Sequence, residues 1–165
     1  MAENCGKSKG IWIIFYRKAF RKGLIYSDAR DEALCFGWID STVRNIDDRR
    51  IKQHFSPRRL RGVWSKLNKN RIENLIEQKL MTSFGFETIE KAKVNGSYYI
   101  LDQVEDLVIP RELEEAFMIN KEAAIVYNNL ARNRKKRILY ELAILKSCTA
   151  KKRKAESLAR SLLEL

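Results

Sequence analysis

The spacing of apolar residues changes character along this chain. "GIWIIFYRK", residues 10–18, is dense in β-branched and aromatic residues and predicts a strand, with a helix as the alternative. Ser27 is placed to cap the next element. In "SDARDEALCFGW" acidic residues fill a first turn and Gly37 supplies a stop, so a helix with Ala29, Ala33, Leu34 and Phe36 on its buried side is expected, with Cys35 near its end. "WIDSTV" and "RRIKQHF" flank the turn-rich "RNIDD". Ile51, Gln53 and Phe55 alternate there with Lys52 and His54, as a half-exposed strand of a β-hairpin requires. Ser56 precedes Pro57 and must be extended, so Arg58 and Arg59 are expected at the surface where a strand runs into a loop ending at Trp64.

Beyond Ser65 the period becomes helical. Ser65 or Asn68 caps a helix with Ile72, Leu75, Ile76 and Leu80 on one face, and a second helix runs from Gly85 to Val94 and stops at Asn95-Gly96. "SYYILDQVEDLVI" reads as a linker or partly ordered segment. Pro110 opens a short helix at its tolerated first position, Asn120 caps another from Lys121 to about Leu130, and one last long helix uses Ile138, Leu142, Leu145, Ala155, Leu158 and Leu162 as its buried stripe. The expectation is an α+β fold. Residues 1–64 form a strand, helix and hairpin part, residues 65–165 a helical part, and the two pack as one compact unit.

Charge narrows the classes of partner. The chain has 165 residues, with 33 Lys and Arg against 21 Asp and Glu for a formal charge of +12, which favours polyanionic surroundings without naming one. The apolar island from Ile11 to Tyr16 is cut short by Arg17 and Lys18, below membrane-span length, so a cytoplasmic protein is expected. Cys5, Cys35 and Cys148 are odd in number and widely spaced, which suggests neither a disulfide framework nor a zinc knuckle. No metal or cofactor is implied.

Candidate chemistry is sparse. Cys35 sits toward a helix C-terminus, where the dipole disfavours a thiolate. His54, the only histidine, falls on the exposed side of a strand. Asp47-Asp48, Asp102 and Glu105-Asp106 are neighbours in turns or linkers that point apart. GxSxG, HExxH, Walker and GxGxxG patterns are all missing. No catalytic residue is assigned, and whether any reaction is catalysed stays open.

The basic clusters say more. "FSPRRLRGVWSKLNKNR" interleaves arginines and lysines with Phe55 and Trp64 at a helix start, where guanidinium forks, free amides and the helix dipole all favour anions. Asp40, Arg58, Arg59, Trp64, Ser65, Asn68 and Lys69 form the candidate site for an anionic ligand or acidic protein partner. In it Asp40 orients an arginine. The alternative is nucleic acid, bound along the last helix by Arg132, Arg134, Lys135, Lys136, Arg137, Lys151, Lys152 and Arg153, with Tyr140 stacking on a base. The first of these clusters, at steps of about 100° per residue, rings a helix rather than forming one stripe.

"EALCFGWIDS", "FSPRR", "WSKLNKNRIENLIE", "LMTSFGFETIEKAKVNG" and "LYELAILK", in that order, resemble the bacterial YdeI/OmpD-associated family, also labelled bacteriocin-protection proteins. The likeness runs from about Trp12 to the C-terminal helix. It falls on Glu32–Cys35 and Gly37–Asp40, then on Phe55, Pro57, Arg58, Arg59, Trp64, Ser65, Asn68 and Lys69. Further on it includes Met81, Gly85, Ile89, Glu90, Ala92, Lys93 and Gly96. Lys79 stands where that family usually has glycine, Ser83-Phe84 replaces Pro-Ala, and "SCTAKKRKA" resembles the closing motif only loosely. The resemblance implies a cytosolic bacterial protein of stress or antimicrobial-peptide resistance, with no established reaction. Together with the residues it suggests a non-enzymatic binding or accessory protein.

Overall fold

The computed structural model describes Glu3, residues 7–20 and residues 23–164; Cys5 lies outside them. The fold is α+β. β1 (Ile11–Tyr16) and the hairpin of β2 (Trp38–Asn45) and β3 (Arg50–Pro57) form an antiparallel sheet in the order β1-β3-β2. The register sets Ile11 opposite Phe55 and Phe15 opposite Ile51, so the alternation read from sequence puts one apolar face of the sheet inward. α1 (Tyr26–Cys35) covers that face: Ala29 and Ala33 are buried against Phe15, Trp38 and Phe55.

α1 begins at Tyr26 with Ile25 as its N-cap and no side-chain cap bond, not at a Ser27 cap. Ser27 Oγ instead donates to Asp28. Tyr26 enters the first turn because its ring lies edge-on to Phe15 at 5.8 Å and its hydroxyl donates to Asp40 at 2.7 Å. The other end is as expected: Gly37 takes φ +71° and turns the chain straight into β2.

α2 (Lys66–Glu77) and α3 (Ser83–Val94) come next, capped by Ser65 and Thr82, whose side chains accept from the amides of Asn68 and Gly85. Leu34 and Cys35 of α1 share a core with Trp64, with Ile72 and Leu75 of α2, and with Ile89 and Ala92 of α3. That shared core explains why the chain divides later than residue 64. It forms two compact units, residues 1–98 and 99–165. Ile76 and Leu80, expected on the buried face, are exposed.

In the second unit the segment expected as a linker contains α4 (Asp102–Glu105), with Val104 buried. α5 (Arg111–Ile119) starts just after Pro110, which is its N-cap, and Asn120 joins α5 to α6 (Lys121–Asn129) without a side-chain cap bond. The expected single last helix is two, α7 (Arg132–Ala143) and α8 (Cys148–Leu162), with Ser147 Oγ accepting from Ala150 at the new start. Leu139 and Leu142 bury in the same cluster as Ala155, Ala159 and Leu162. On one straight helix residues 142 and 155 would stand about 20 Å apart. A break is the only way to bring both stripes to one core.

α1 and α3 meet at very short range. The Cys35 carbonyl accepts from both the Thr82 hydroxyl (2.6 Å) and the Thr82 amide (3.2 Å), and a Cβ on Gly85 would come within 3.0 Å of the Cys35 carbonyl carbon and closer to its oxygen. Gly85→Ala is therefore expected to cost about 1–3 kcal/mol, read as a lower midpoint in thermal unfolding. At the end of α2, Lys79 holds φ +60° while its amide bonds to Ile76 and that of Leu80 to Leu75. This left-handed cap costs a non-glycine residue about 1 kcal/mol. Lys79→Gly should recover that amount in denaturant unfolding.

Candidate anion-binding site

The turn at Gly37 also organises the strongest cationic feature of the first unit. Leaving β3, the chain folds back so that the Arg58 amide donates to the Gly37 carbonyl at 3.0 Å, and the Gly62 amide closes a turn onto Arg59. The Arg58 side chain then points inward. Its guanidinium lies over the Trp64 indole, 3.8 Å from the ring centroid, and Nη1 donates to the Val63 carbonyl at 2.9 Å. Nε and Nη2 are buried without a hydrogen-bond partner, as is Trp64 Nε1. Burial pushes the Arg58 pKa down to about 10, with the charge of Asp40 opposing the shift, so the group stays protonated at neutral pH.

The surface position expected for both arginines thus holds for Arg59 alone. Arg58 turns in because a planar cation can trade water for an aromatic face. Asp40 does not clamp either arginine: its carboxylate accepts from Tyr26 (2.7 Å) and Gln53 (3.3 Å). Ser65 and Asn68 are occupied by the start of α2, where Ser65 Oγ accepts from the Asn68 amide. Lys69 is buried, with its ammonium 4.3 Å from the Tyr98 ring centroid. None of these three residues lines the cavity beside Arg58.

What the fold adds is α3. A cavity of about 210 Å³ is lined by Arg58, Arg59, Leu60 and Trp64 from the loop and by Thr88, Lys91 and Ala92 from α3. Lys91 pairs with Glu87 at 2.6 Å on the exposed helix surface, a contact of the kind worth at most about 1 kcal/mol. Asn95 donates to the Leu60 carbonyl at 2.7 Å and ties the loop to the end of α3. Three cations therefore converge on one small concavity. Lys91 was missed in sequence. The available signal was the one-turn spacing of Thr88, Lys91 and Ala92 on a helix whose Gly85 demands close packing.

The alternative basic surface is largely consumed within the second unit. Arg132 and Lys136 both bond to Glu105, Lys135 donates to the Asn128 carbonyl, Arg137 and Lys154 share Glu141, and Lys152 pairs with Glu115. Among the described residues Arg134, Lys151 and Arg153 have no such partner, and Tyr140 is exposed. The break after Ala143 puts Lys151–Lys154 on a different helix from Arg132–Arg137, so they do not form one continuous track.

Residues 1–88 match the family described as Domain of unknown function (DUF8412). The chain belongs to this family. No curated protein and no solved structure matches the chain. Membership carries no reaction, ligand or partner, so function has to be argued from geometry. Among the described residues no helix is long and apolar enough to cross a membrane.

The carboxylate and thiol candidates have structural employment. Asp47 is held by Arg50 Nε and Nη2 and by the amides of Arg49 and Arg50, and the Arg50 hydrogen bond keeps its pKa below the usual carboxylate value. Cys35 is buried, and desolvation, then the charges of Glu32 and Asp31, raises its thiol pKa; Cys148 is exposed. Peptide mapping after treatment of the native protein with a thiol reagent should find Cys148 modified and Cys35 intact until the chain unfolds. Rapid native labelling of Cys35 would return it to consideration as a nucleophile.

Proposed function

We propose that the protein is a non-enzymatic binding protein that receives an anionic group, a phosphate or carboxylate carried by its partner, in the concavity of Arg58, Arg59 and Lys91. The observation that carries this reading is the Arg58 guanidinium stacked on Trp64, with Nε and Nη2 buried and unpaired beside a cavity that Arg59 and Lys91 also line. A buried donor left unmatched costs about 1–3 kcal/mol or more when charged. An oxyanion in the concavity would match it after an outward turn of the Arg58 side chain, and the hydrogen bonds so formed are charge-assisted.

The protective role implied by the YdeI/OmpD-associated likeness belongs to this proposal only in an indirect form. A body of +12 repels cationic peptides at long range. Protection would therefore run through an anionic partner and not through capture of the peptide itself.

Titration of the ¹⁵N-labelled protein with inorganic phosphate tests the reading. The Trp64 indole and Arg58 side-chain resonances should shift together and saturate. Arg59→Ala combined with Lys91→Ala should weaken that response roughly 10-fold or more while leaving the unfolding midpoint close to wild type, since both side chains are exposed. Absence of a saturable shift at Trp64 would overturn the proposal.

A further inference from the structure

The sheet has a second face, and it is built differently from the first. On β1 the outward residues are Trp12, Ile14 and Tyr16, which remain 40%, 52% and 42% exposed. Trp12 stands opposite His54, Ile14 opposite Lys52 and Tyr16 opposite Arg50 across β3, while Arg44 of β2 stands opposite Lys52. An unbroken row of large exposed apolar side chains on one strand is costly in water and marks a surface with a use.

The cations on this face are arranged around the rings. Lys52 Nζ lies 5.0 Å and the Arg44 guanidinium 5.3 Å from the centroid of the Trp12 ring, and the His54 imidazole is 5.0 Å away, tilted by 55°. Among the described residues neither Arg44 nor Lys52 has a carboxylate within salt-bridge distance. Asp47, in the turn between β2 and β3, is already locked to Arg50. Net charge points the same way: residues 1–98 hold 20 Lys and Arg against 11 Asp and Glu, while residues 99–165 hold 13 against 10.

We propose that the outer face of the β1-β3-β2 sheet is a platform for single-stranded nucleic acid, on which Trp12 and Tyr16 stack on bases while Arg44 and Lys52 meet the phosphates. Residues two apart on a strand are about 7 Å apart. Trp12 and Tyr16 therefore present two stacking sites roughly 13 Å apart along one edge strand, with the apolar Ile14 between them. Unpaired bases offer the ring faces that such a row needs, whereas a duplex hides them in its stack. This surface is separate from the Arg58 concavity and stands whether or not that site takes an anion.

The full chain can be titrated with a fluorescein-labelled oligouridylate and monitored by anisotropy. A second readout is internal: Trp38 and Trp64 are 1% and 2% exposed, so the part of the tryptophan quenching that is lost in Trp12→Ala reports Trp12. Binding should quench that emission and weaken steeply as salt rises. Trp12→Ala or Tyr16→Ala should each lower affinity about 5- to 100-fold. Arg44→Ala with Lys52→Ala should reduce the slope of log affinity against log salt by about 0.7 per lost phosphate contact. If Trp12→Ala folds poorly by circular dichroism, the Arg44 and Lys52 pair provides the same test without touching an apolar side chain. On an Arg59→Ala, Lys91→Ala background, which removes phosphate contacts at the Arg58 concavity, the Trp12-dependent quenching should persist. The proposal is overturned by no binding at low salt, by binding insensitive to the Trp12, Tyr16, Arg44 and Lys52 variants, or by loss confined to Arg134→Ala, Lys151→Ala and Arg153→Ala. It is equally overturned if phosphatidylglycerol vesicles quench Trp12 and the oligonucleotide does not.

Discussion

The first unit hangs on what happens around Gly37. Its φ of +71° ends α1 and launches β2 with no intervening loop. Its missing side chain leaves room for Thr88 and the Phe84 carbonyl of α3, and its carbonyl holds the Arg58 amide as the chain leaves β3. One residue thus fixes the helix-to-strand turn, the distance to α3 and the point from which the cationic loop departs. The two bonds from Thr82 to the Cys35 carbonyl lock the same junction from the other side. Any side chain at position 37 meets both a disfavoured left-handed backbone and a filled space.

Local chemistry was legible where it is self-contained. Gly37 as a stop, Ser65 as a cap and the alternation of Ile51, Gln53 and Phe55 all act within a few residues, and the structure realises each. Lys79 is a subtler case: the backbone there is left-handed, which a lysine does not announce. What sequence could not convey depends on contacts between distant residues. Tyr26 displaces the expected Ser27 start because Phe15 and Asp40 hold its ring and hydroxyl. The last helix divides because both halves must reach one core. Arg58 and Arg59 are adjacent and chemically identical, yet only one finds Trp64 within reach.

Charge had the same blind spot. The run from Arg132 to Arg137 holds five basic residues in six and looks like the natural place for a polyanion. All of its cations but Arg134 are met by Glu105, Glu141 or the Asn128 carbonyl, none of which the run itself announces. The residues of the sheet are basic only in alternation, Arg44 on one strand and Lys52 on another, and no window of sequence collects them. Pairing with carboxylates, more than density along the chain, decides where positive potential reaches solvent.

The first unit uses an arginine against a tryptophan twice, at two depths. At Arg58 and Trp64 the ring is 2% exposed and the separation is 3.8 Å; a desolvated pair of this kind contributes about 2 kcal/mol or more and fixes a guanidinium whose remaining donors face inward. At Arg44 and Trp12 the separation is 5.3 Å and the ring is 40% exposed, where the same attraction contributes about 0.5–1 kcal/mol. That is too little to bury the cation and enough to hold it beside the ring. Depth therefore divides the two pairs: the buried one packs a guanidinium into the wall of a concavity, and the exposed one leaves both ring and cation in contact with solvent.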